Sequence, residues 1–497
     1  MFFFIVRRLL ISIPILLASS LLSFFLVTIS GDPLAEIRES SRPNKEQLIS
    51  TLRRQLDLDV PFHQRYFEWL TGLFRGDFGV NRNGQDVSAL LTQAMGTTFR
   101  LVILATIASI VIGIAFGIVT AVRQYSAIDY TSTFSAFLFF SLPVFWLAVM
   151  LKEFGAIQFN EYLEQPGFST TGIILLAVLS GLMASGLVGG GSPKRRLIVF
   201  AIVGGGMAAI LVALDATDWM SNPGLSLPVI GLIAAGGAVL AAATFAPLET
   251  RQVLMAAIAA AAVGVVASVV LDSYIADMSW TRMLILAVLT LGAGAAIGAV
   301  VGGEIDRRAA IRAGMSSAFF VGLIVVVDRF MSAWRPGRTI ATIGPKTPNL
   351  DAGFWETMVD YAGHQILPSL ALALIGFATF MRFTRSSMLD TLKSDYVRTA
   401  KAKGLPATQV IMRHAFRTAL IPVMTVVTIS FAAVIDGAVI TERVFGWKGM
   451  GSLFIQGVQD IDPYPIMGFL VVTSTSIIAL NAVADIMYAY LDPRIRR

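Results

Sequence analysis

The sequence predicts an all-α, polytopic membrane protein, and composition and hydropathy both support that class. Of its 497 residues, 56% are hydrophobic and only 14% are charged, and the mean hydropathy is +0.74. A soluble domain carries about 25% charged residues. We count twelve apolar runs long enough to cross about 30 Å of hydrocarbon, which predicts twelve spans with both termini in the cytoplasm.

Charge and titratable residues exclude several kinds of function. The formal net charge is +6, but the basic residues cluster in loops between apolar runs, as the positive-inside rule predicts, so we expect no nucleic-acid partner. The chain has no Cys and three widely separated histidines, which predicts neither disulfides nor a metal site. There is no HExxH or GxSxG motif, and Gly344-Pro345-Lys346-Thr347 lacks the spacing of a phosphate-binding loop. We therefore predict no ATP site and no enzymatic activity in this chain.

Three apolar runs are predicted in the first part of the chain, at residues 9–29, 98–122 and 130–150. The first run is longer than the apolar region of a signal peptide and lacks a convincing cleavage site. We interpret it as a retained span with the pair Arg7-Arg8 in the cytoplasm. Residues 31–97 are polar, contain predicted helices at 45–56 and 62–74, and form an external cap. Pro143 breaks the third run and frees a carbonyl that needs protein or water beside it.

Residues 156–344 are predicted to be an inserted block of six further spans. The composition shifts to Ala, Gly, Val, Leu and Ile, and the apolar runs lie at 171–190, 197–214, 227–247, 253–271, 281–302 and 314–330. Basic and acidic loops alternate between them, as expected for spans that start and end outside. Six spans can be inserted without inverting the chain that follows. Their glycines favour close helix packing, and we interpret the block as a packing module without chemistry of its own.

Three more spans are predicted at 367–388, 420–440 and 466–491, and the first two flank the most basic long segment, residues 390–422. Residues 395–403 can form a short polar helix. Gly404 and Pro406 then end it, because glycine suits the helix C-terminus and proline cannot continue the hydrogen-bond ladder. A second helix is predicted to start near Thr408. This arrangement between two spans indicates a docking element rather than a catalytic one.

The docking element resembles the cytoplasmic coupling loop of permease subunits in the dipeptide/oligopeptide branch of binding-protein-dependent ABC importers. The resemblance rests on the sequence DYVRTAKAKGLPATQVIMRHAFRTALIPVMT, residues 395–425. Other matching motifs are Gly76-Asp77-Phe78-Gly79, Ser141-Leu142-Pro143-Val144-Phe145-Trp146, Glu442-Arg443-Val444-Phe445, Gly449-Met450-Gly451 and Asp462-Pro463-Tyr464-Pro465. The match covers roughly residues 1–155 and 345–497. It implies a six-span type I permease core, with the 156–344 block inserted between core spans three and four.

The resemblance implies a peptide importer in the cytoplasmic (inner) membrane of a bacterium or archaeon. The chain itself would hold no cofactor, because ATP and Mg belong to partner subunits. The implied partners are a second homologous permease, two cytoplasmic ABC ATPase subunits or domains, an extracytoplasmic solute-binding protein and membrane lipid.

The resemblance also assigns candidate site residues. The ATPase-coupling residues would be Tyr396, Arg398, Thr399, Ala400, Lys401, Lys403, Gly404 and Leu405. Arg398-Thr399-Ala400 stands where the general family has Glu-Ala-Ala, a form that the peptide branch tolerates. Candidates for the translocation path are Pro143, Asp436 and Asp485. Pro143 breaks a span, and the two aspartates place a carboxylate inside a span, which is costly and by default functional. Packing against a nearby donor is the alternative role for Asp485.

Two other classes of function stay open. A self-sufficient secondary transporter or channel predicts inverted repeats and interrupted helices that carry ionisable residues. We find no such repeat in the sequence. A membrane-embedded sensor would use the Ala/Gly-rich block as its receptor. A secondary transporter or channel also gives no reason for the basic segment at residues 390–422. The cargo is also open among a dipeptide, a longer peptide, a nickel chelate and another solute.

Overall fold

The fold was analysed in a computed structural model. It describes every residue except Met1, Ser40, Arg42, residues 188–191, Leu248, residues 335–339 and residues 492–497. The side chains at residues 2–9, Glu36, Leu187, residues 428–429, 431–437 and 484–491 are also outside the described part. Within the described residues every named element is a helix, which confirms the all-α class. Ten helices in this part are long and apolar enough to span a membrane.

The first part of the chain contains eight α-helices. They are α1 (Phe2–Ser30), α2 (Ala35–Glu39), α3 (Lys45–Gln55), α4 (Phe62–Leu73), α5 (Val87–Val122), α6 (Ala127–Ser141), α7 (Val144–Lys152) and α8 (Gln158–Glu164). The two predicted cap helices are therefore present as α3 and α4. Helix α5 begins earlier than the predicted span, because the Asp86 side chain accepts a hydrogen bond from Ser88 N and caps it.

The predicted third span is two helices rather than one. Helix α6 ends at Ser141, Pro143 precedes α7, and the two directions differ by 105°. The sequence places residues 152–170 in an external loop, but helical structure continues through a π-helical turn to Glu164. This helical segment packs against the rest of the protein, since Ala156 and Leu163 are buried. The predicted domain boundary at residues 155 and 156 falls within it, and that division stays a prediction.

The middle and last parts add thirteen α-helices. The middle ones are α9 (Thr170–Leu187), α10 (Pro193–Ala216), α11 (Leu227–Phe245), α12 (Arg251–Val270), α13 (Asp272–Ala276), α14 (Trp280–Val301) and α15 (Arg307–Ser332). The last ones are α16 (Phe354–Leu392), α17 (Asp395–Ala402), α18 (Ala407–Gln409), α19 (Phe416–Val444), α20 (Met450–Asp460) and α21 (Pro463–Leu491). Helix α9 is apolar over residues Thr170–Gly186.

The core of the molecule is the parallel pair α5 and α16, which approach each other through small residues. A Cβ atom added at Gly113 would lie 2.7 Å from Phe380 Cβ, and one added at Gly117 would lie 2.5 Å from Thr384 Cβ. Real side-chain contacts are not this short, so these backbones touch only because glycine has no side chain. Helices α19, α20, α21 and α1 complete this core, and α6 and α7 pack on α16.

The middle helices form their own cluster, whose buried interior is mostly alanine. Its members include Ala238, Ala256, Ala257, Ala310 and Ala313 on α11, α12 and α15. Helices α14 and α15 also meet through glycine, since a Cβ at Gly298 would lie 2.4 Å from Ala310 O. Small residues therefore allow close packing here, as the sequence predicts.

The α5–α16 contact can be tested with a single methyl group. In a Gly117→Ala variant the new Cβ must push α16 away, and overpacking of this kind costs about 1–3 kcal/mol. We expect a lower midpoint of thermal unfolding in detergent. The matched control is Gly96→Ala on the same helix, where a Cβ meets nothing within 4 Å. Equal midpoints for the two variants would contradict this description of the core.

Candidate docking site

The docking segment, residues 390–422, connects α16 to α19 at the end of the core where α5 also ends. Its first element is α17, which covers Asp395–Ala402 and confirms the predicted short helix. Gly404 follows with φ of +72°, a left-handed conformation that glycine adopts without strain. The chain then continues through Ala407–Gln409 and a π-helical turn at Val410–Ala415 into α19.

Helix α17 has one buried and one exposed face. Val397 is fully buried and Ala400 nearly so, and both pack against the ends of α5, α16 and α19 in a cluster with Ala121, Met388 and Ala419. The opposite face is exposed and mostly basic. Its members are Tyr396, Arg398, Thr399, Lys401 and Lys403. The helix is thus held to the core by its apolar side and presents its cationic side to the surroundings.

This geometry separates the candidate coupling residues into two groups. Tyr396 and Arg398 are exposed, at 45% of the residue and 71% of the side chain respectively. Ala400 is buried and Leu405 is half-buried against the same cluster. Ala400 and Leu405 therefore support the helix, whereas Tyr396, Arg398, Thr399, Lys401 and Lys403 are accessible to a partner.

A cavity of about 480 Å³ opens beside α17. It is lined by the last residues of α5 and α16 and by the turn after α17, including Gln124, Leu392, Lys393, Lys401 and Leu405. Two lysines at an open cavity give it a positive rim. It has room for side chains from outside the chain, and acidic ones are favoured there by charge.

Helix α6 is joined to α16 by a partly buried ion pair near the docking segment. Arg385 on α16 donates two hydrogen bonds to Asp129 on α6, from Nε to Oδ1 at 2.8 Å and from Nη2 to Oδ2 at 3.0 Å. The Asp129 side chain is only 4% exposed and that of Arg385 is 29% exposed. Both oxygens of the buried carboxylate are therefore paired with the same guanidinium. On the same face Arg382 lies over the rings of Phe137 and Phe140, so α6 is fixed to the helix that leads into α17.

This ion pair is not among the features predicted from the sequence. Neither Asp129 nor Arg385 belongs to a matching motif or to the docking segment. A signal was present, since Asp129 stands at the start of an apolar run, where a carboxylate needs a partner. Nothing in the sequence alone identifies Arg385, which is 256 positions away.

At the opposite end of α19, Glu442 joins three helices. It is 1% exposed, its Oε1 accepts a hydrogen bond from the Thr98 hydroxyl of α5, and its Oε2 accepts one from Ser452 N at 3.2 Å. Thr98 Oγ1 also accepts from Met450 N at 2.8 Å. Negative charge at a helix N-terminus satisfies free N–H groups, so Glu442 holds the start of α20 against α5 and α19.

Burial affects the protonation of this carboxyl. It raises the pKa of Glu442 from 4.5 to about 6, although hydrogen bonds from Thr98, Ser452 and Gly451 act in the opposite direction. Glu442 lies beyond the predicted span that ends at residue 440. The motif residues Glu442 and Gly449 lie against each other where α19 and α20 meet α5. A Cβ at Gly449 would collide with the Glu442 carboxylate.

A second buried carboxylate joins the cap to the last helices. Asp462 is 2% exposed, and its Oδ2 accepts a hydrogen bond from Arg82 N at 2.6 Å while its Oδ1 accepts one from Tyr464 N at 3.2 Å. Burial raises the pKa of Asp462 to about 6. The predicted cap, residues 31–97, is thus in contact with residues 441–465, which contain the end of α19 and all of α20, at the end of the core opposite α17.

The translocation-path candidates are not brought together by the described side chains. Pro143 lies exposed at the break between α6 and α7. The side chains of Asp436 and Asp485 are outside the described residues, so their assignment stays a prediction. In the described part of the chain no group of three His, Asp or Glu side chains is placed to hold a metal ion.

Comparison with known proteins places both ends of the chain in one family. A model described as "Binding-protein-dependent transport system inner membrane component" matches residues 308–497, and its N-terminal companion matches residues 1–100. The first match begins in α15, inside the block that the sequence predicts as an insertion. Residues 101–307 lie between the two matches.

Individual relatives agree with the family models. The chain is 25% identical to "Oligopeptide transport system permease protein AppB" of Bacillus subtilis, with 99% of this chain and 98% of that protein aligned. It is 36% identical to OppB of Mycobacterium tuberculosis over 36% of this chain and 55% of that one. It is 39% identical to DppB of Escherichia coli over 30% of this chain and 44% of the relative.

The Glu442 junction predicts a pH dependence. The folded state binds the Glu442 proton more tightly than the unfolded state, because the pKa of this carboxyl is raised from 4.5 to about 6 on folding. The contribution of Glu442 to stability is therefore fully present below about pH 4.5, is lost as pH rises to about 6, and does not change further above that range. In a Glu442→Gln variant the thermal-unfolding midpoint in detergent should depend less on pH. Asp462 should retain a slope of its own.

The control for that experiment is Glu304→Gln, which removes an exposed carboxylate. Its midpoint should follow the wild-type pH curve. A Glu442→Gln curve that is parallel to the wild-type curve would contradict the assignment of a raised pKa to this carboxyl.

Proposed function

The chain belongs to the binding-protein-dependent transport system inner membrane components, and we propose that it is the transmembrane permease subunit of an ATP-driven peptide importer. The family consists of transport components rather than catalytic enzymes. The proposal that the cargo is a dipeptide or oligopeptide is supported by the names of the relatives from B. subtilis, M. tuberculosis and E. coli.

The observation that carries the proposal is the two-faced helix α17. Its buried residues Val397 and Ala400 fix it to the ends of α5, α16 and α19. Its exposed face carries only basic charge apart from Asp395 at its start. A helix that is packed on one side and cationic on the other suits a groove with an acidic rim on a second protein. We propose that this protein is a cytoplasmic ABC ATPase subunit, which supplies ATP and Mg.

Several exposed residues of α17 and the following turn have distinct parts in the proposed docking. Tyr396 is the large amphipathic side chain of the face and would enter the partner's groove. Lys401 and Lys403 would set the register against acidic side chains, and the cavity rimmed by Lys393 and Lys401 would receive one of them. Gly404 lets the chain turn back immediately after the helix, so that the helix protrudes from the core.

Movement of α17 would reach the spans through α16 and α19. Ser387 on α16 donates a hydrogen bond to Ala419 O on α19 at 2.8 Å, which links the two helices next to the docking segment. The Asp129–Arg385 pair transmits displacement of α16 to α6. A partner that docks differently in its ATP-bound and nucleotide-free states would then shift the population between two arrangements of these spans.

We assign the surface formed by residues 31–97 and 441–465 to the extracytoplasmic side. It lies at the end of the core opposite α17, and its two parts are joined by the hydrogen bond from Arg82 N to Asp462 Oδ2. A solute-binding protein would deliver substrate there. A second homologous permease would complete the pathway in the bacterial or archaeal inner membrane, with both termini of this chain in the cytoplasm.

We propose that the block at residues 156–344 is an addition to the six-span core. The 179 residues aligned with OppB of M. tuberculosis make up 55% of that protein, so it is much shorter than this chain of 497 residues. The middle helices also form a separate alanine-rich cluster.

Charge reversal tests the docking role of α17. A Lys401→Glu/Lys403→Glu variant should lower ATP-dependent uptake of a labelled peptide about tenfold or more, because losing about 1.4 kcal/mol of docking free energy weakens binding tenfold. The ATPase subunits should also be lost when the permease is purified. The amount of permease in the membrane, measured by immunoblot, should be unchanged.

The control distinguishes docking from topology. Arg195→Glu/Arg196→Glu reverses two basic residues in another loop predicted to be cytoplasmic. If basic residues only fix orientation, both variants should behave alike. Normal uptake in the Lys401→Glu/Lys403→Glu variant would overturn the docking proposal.

A further inference from the structure

The middle helices enclose an apolar cavity that the proposed function does not use. It has a volume of about 220 Å³ and lies between α12, α14, α15 and the first turn of α16. Its lining includes Gly264, Leu271, Leu286, Thr290, Gly322 and Trp355. An apolar cavity of about 150 Å³ in another protein stays dry and binds benzene. This one has room for a larger apolar group.

The hydrogen-bonding groups of two polar lining residues are already satisfied inside the protein. Trp355 Nε1 donates to Ile275 O at 2.8 Å, and Ser268 Oγ donates to Val265 O at 2.7 Å. Water needs two to four polar partners to remain in a cavity. Thr290 adds one further hydroxyl to the lining, which is fewer than a bound water needs. The cavity therefore favours a hydrocarbon over water, an ion or a peptide.

Part of the cavity lining lies on the exposed surface of a candidate span. Phe319 and Leu323 line the cavity and are 57% and 48% exposed. Both residues belong to α15. Helices α12, α14 and α15 around the cavity are all candidate spans. The exposed side of a span within the hydrocarbon region faces acyl chains.

Aromatic and charged residues lie together at one end of the cavity. Trp280, Phe354 and Trp355 form a ring cluster there, with centroid separations of 5.4 and 5.3 Å. Aromatic rings of this kind are enriched at the headgroup level. Two ion pairs, Arg282–Asp277 and Arg329–Asp272, lie at the same end. A lipid could keep its headgroup beside these charges while its chain enters the cavity.

We propose that this cavity is a binding site for one acyl chain of a membrane phospholipid. The chain would lie against Trp355 at the start of α16, so the bound lipid would fill the gap between the middle helices and the core helix that leads to α17. This inference goes beyond the proposed transport function and does not depend on it.

Fluorescence quenching tests the proposal on the full chain purified in detergent. Phosphatidylcholine with brominated acyl chains is titrated in, and the Trp355 signal is taken as the difference between the wild type and Trp355→Phe. We expect saturable quenching of that signal. It should be lost in Gly322→Leu, whose Cβ would point into the cavity with Thr290 Cγ2 as its nearest neighbour at 3.9 Å.

The matched control is Gly292→Leu on α14, where a Cβ meets nothing within 4 Å. It should quench like the wild type. Ala287→Phe, which fills the cavity from α14, provides a second blocking variant if Gly322→Leu does not fold. Non-saturable quenching, or equal quenching in blocking and control variants, would overturn the proposal.

Discussion

The close approach of α5 and α16 is the constraint on which the rest of the core depends. Ser109, Gly113 and Gly117 on α5 face Gly376, Phe380 and Thr384 on α16, in steps of four residues along both helices. The two helices therefore run parallel and in register, and both end at the docking segment. In a membrane the driving force for helix association comes from packing rather than from exclusion of water. The missing side chains at Gly113 and Gly117 are thus what brings the two backbones into contact.

Two buried carboxylates then fix the other helices to this pair. Asp129 fastens α6 to α16 near the docking segment, and Glu442 fastens α19 and α20 to α5 at the other end. Both carboxylates accept hydrogen bonds from surrounding donors, which offsets part of the cost of taking their charge out of water. Because these contacts join separate helices, the proposed displacement of α17 would be passed along α16 to the far side of the core.

Much of this fold could be predicted from the sequence because apolar length and turn residues are local signals. The cap helices, the break at Pro143 and the short helix ended by Gly404 are all present in the structure. Helices α5 and α16 extend beyond the predicted spans. Hydropathy marks only the hydrocarbon region, and these helices continue past it. Long-range partners could not be predicted. Asp129 and Arg385, like Thr98 and Glu442, meet only through the packing of α5, α6, α16 and α19. Hydropathy also could not show that Ala400 faces inward while its neighbours Thr399 and Lys401 face outward.

Site-directed cross-linking tests the central claim, that α17 docks onto an ATPase, most directly. The chain has no Cys, so a single cysteine can be introduced by Thr399→Cys on the exposed face of α17, and by Lys194→Cys in another loop predicted to be cytoplasmic. Both permeases are expressed with their ATPase subunits and treated with a short thiol-to-amine cross-linker. We expect a permease–ATPase adduct from Thr399→Cys and none from Lys194→Cys. Absence of the Thr399→Cys adduct, or equal adducts from both positions, would contradict the claim.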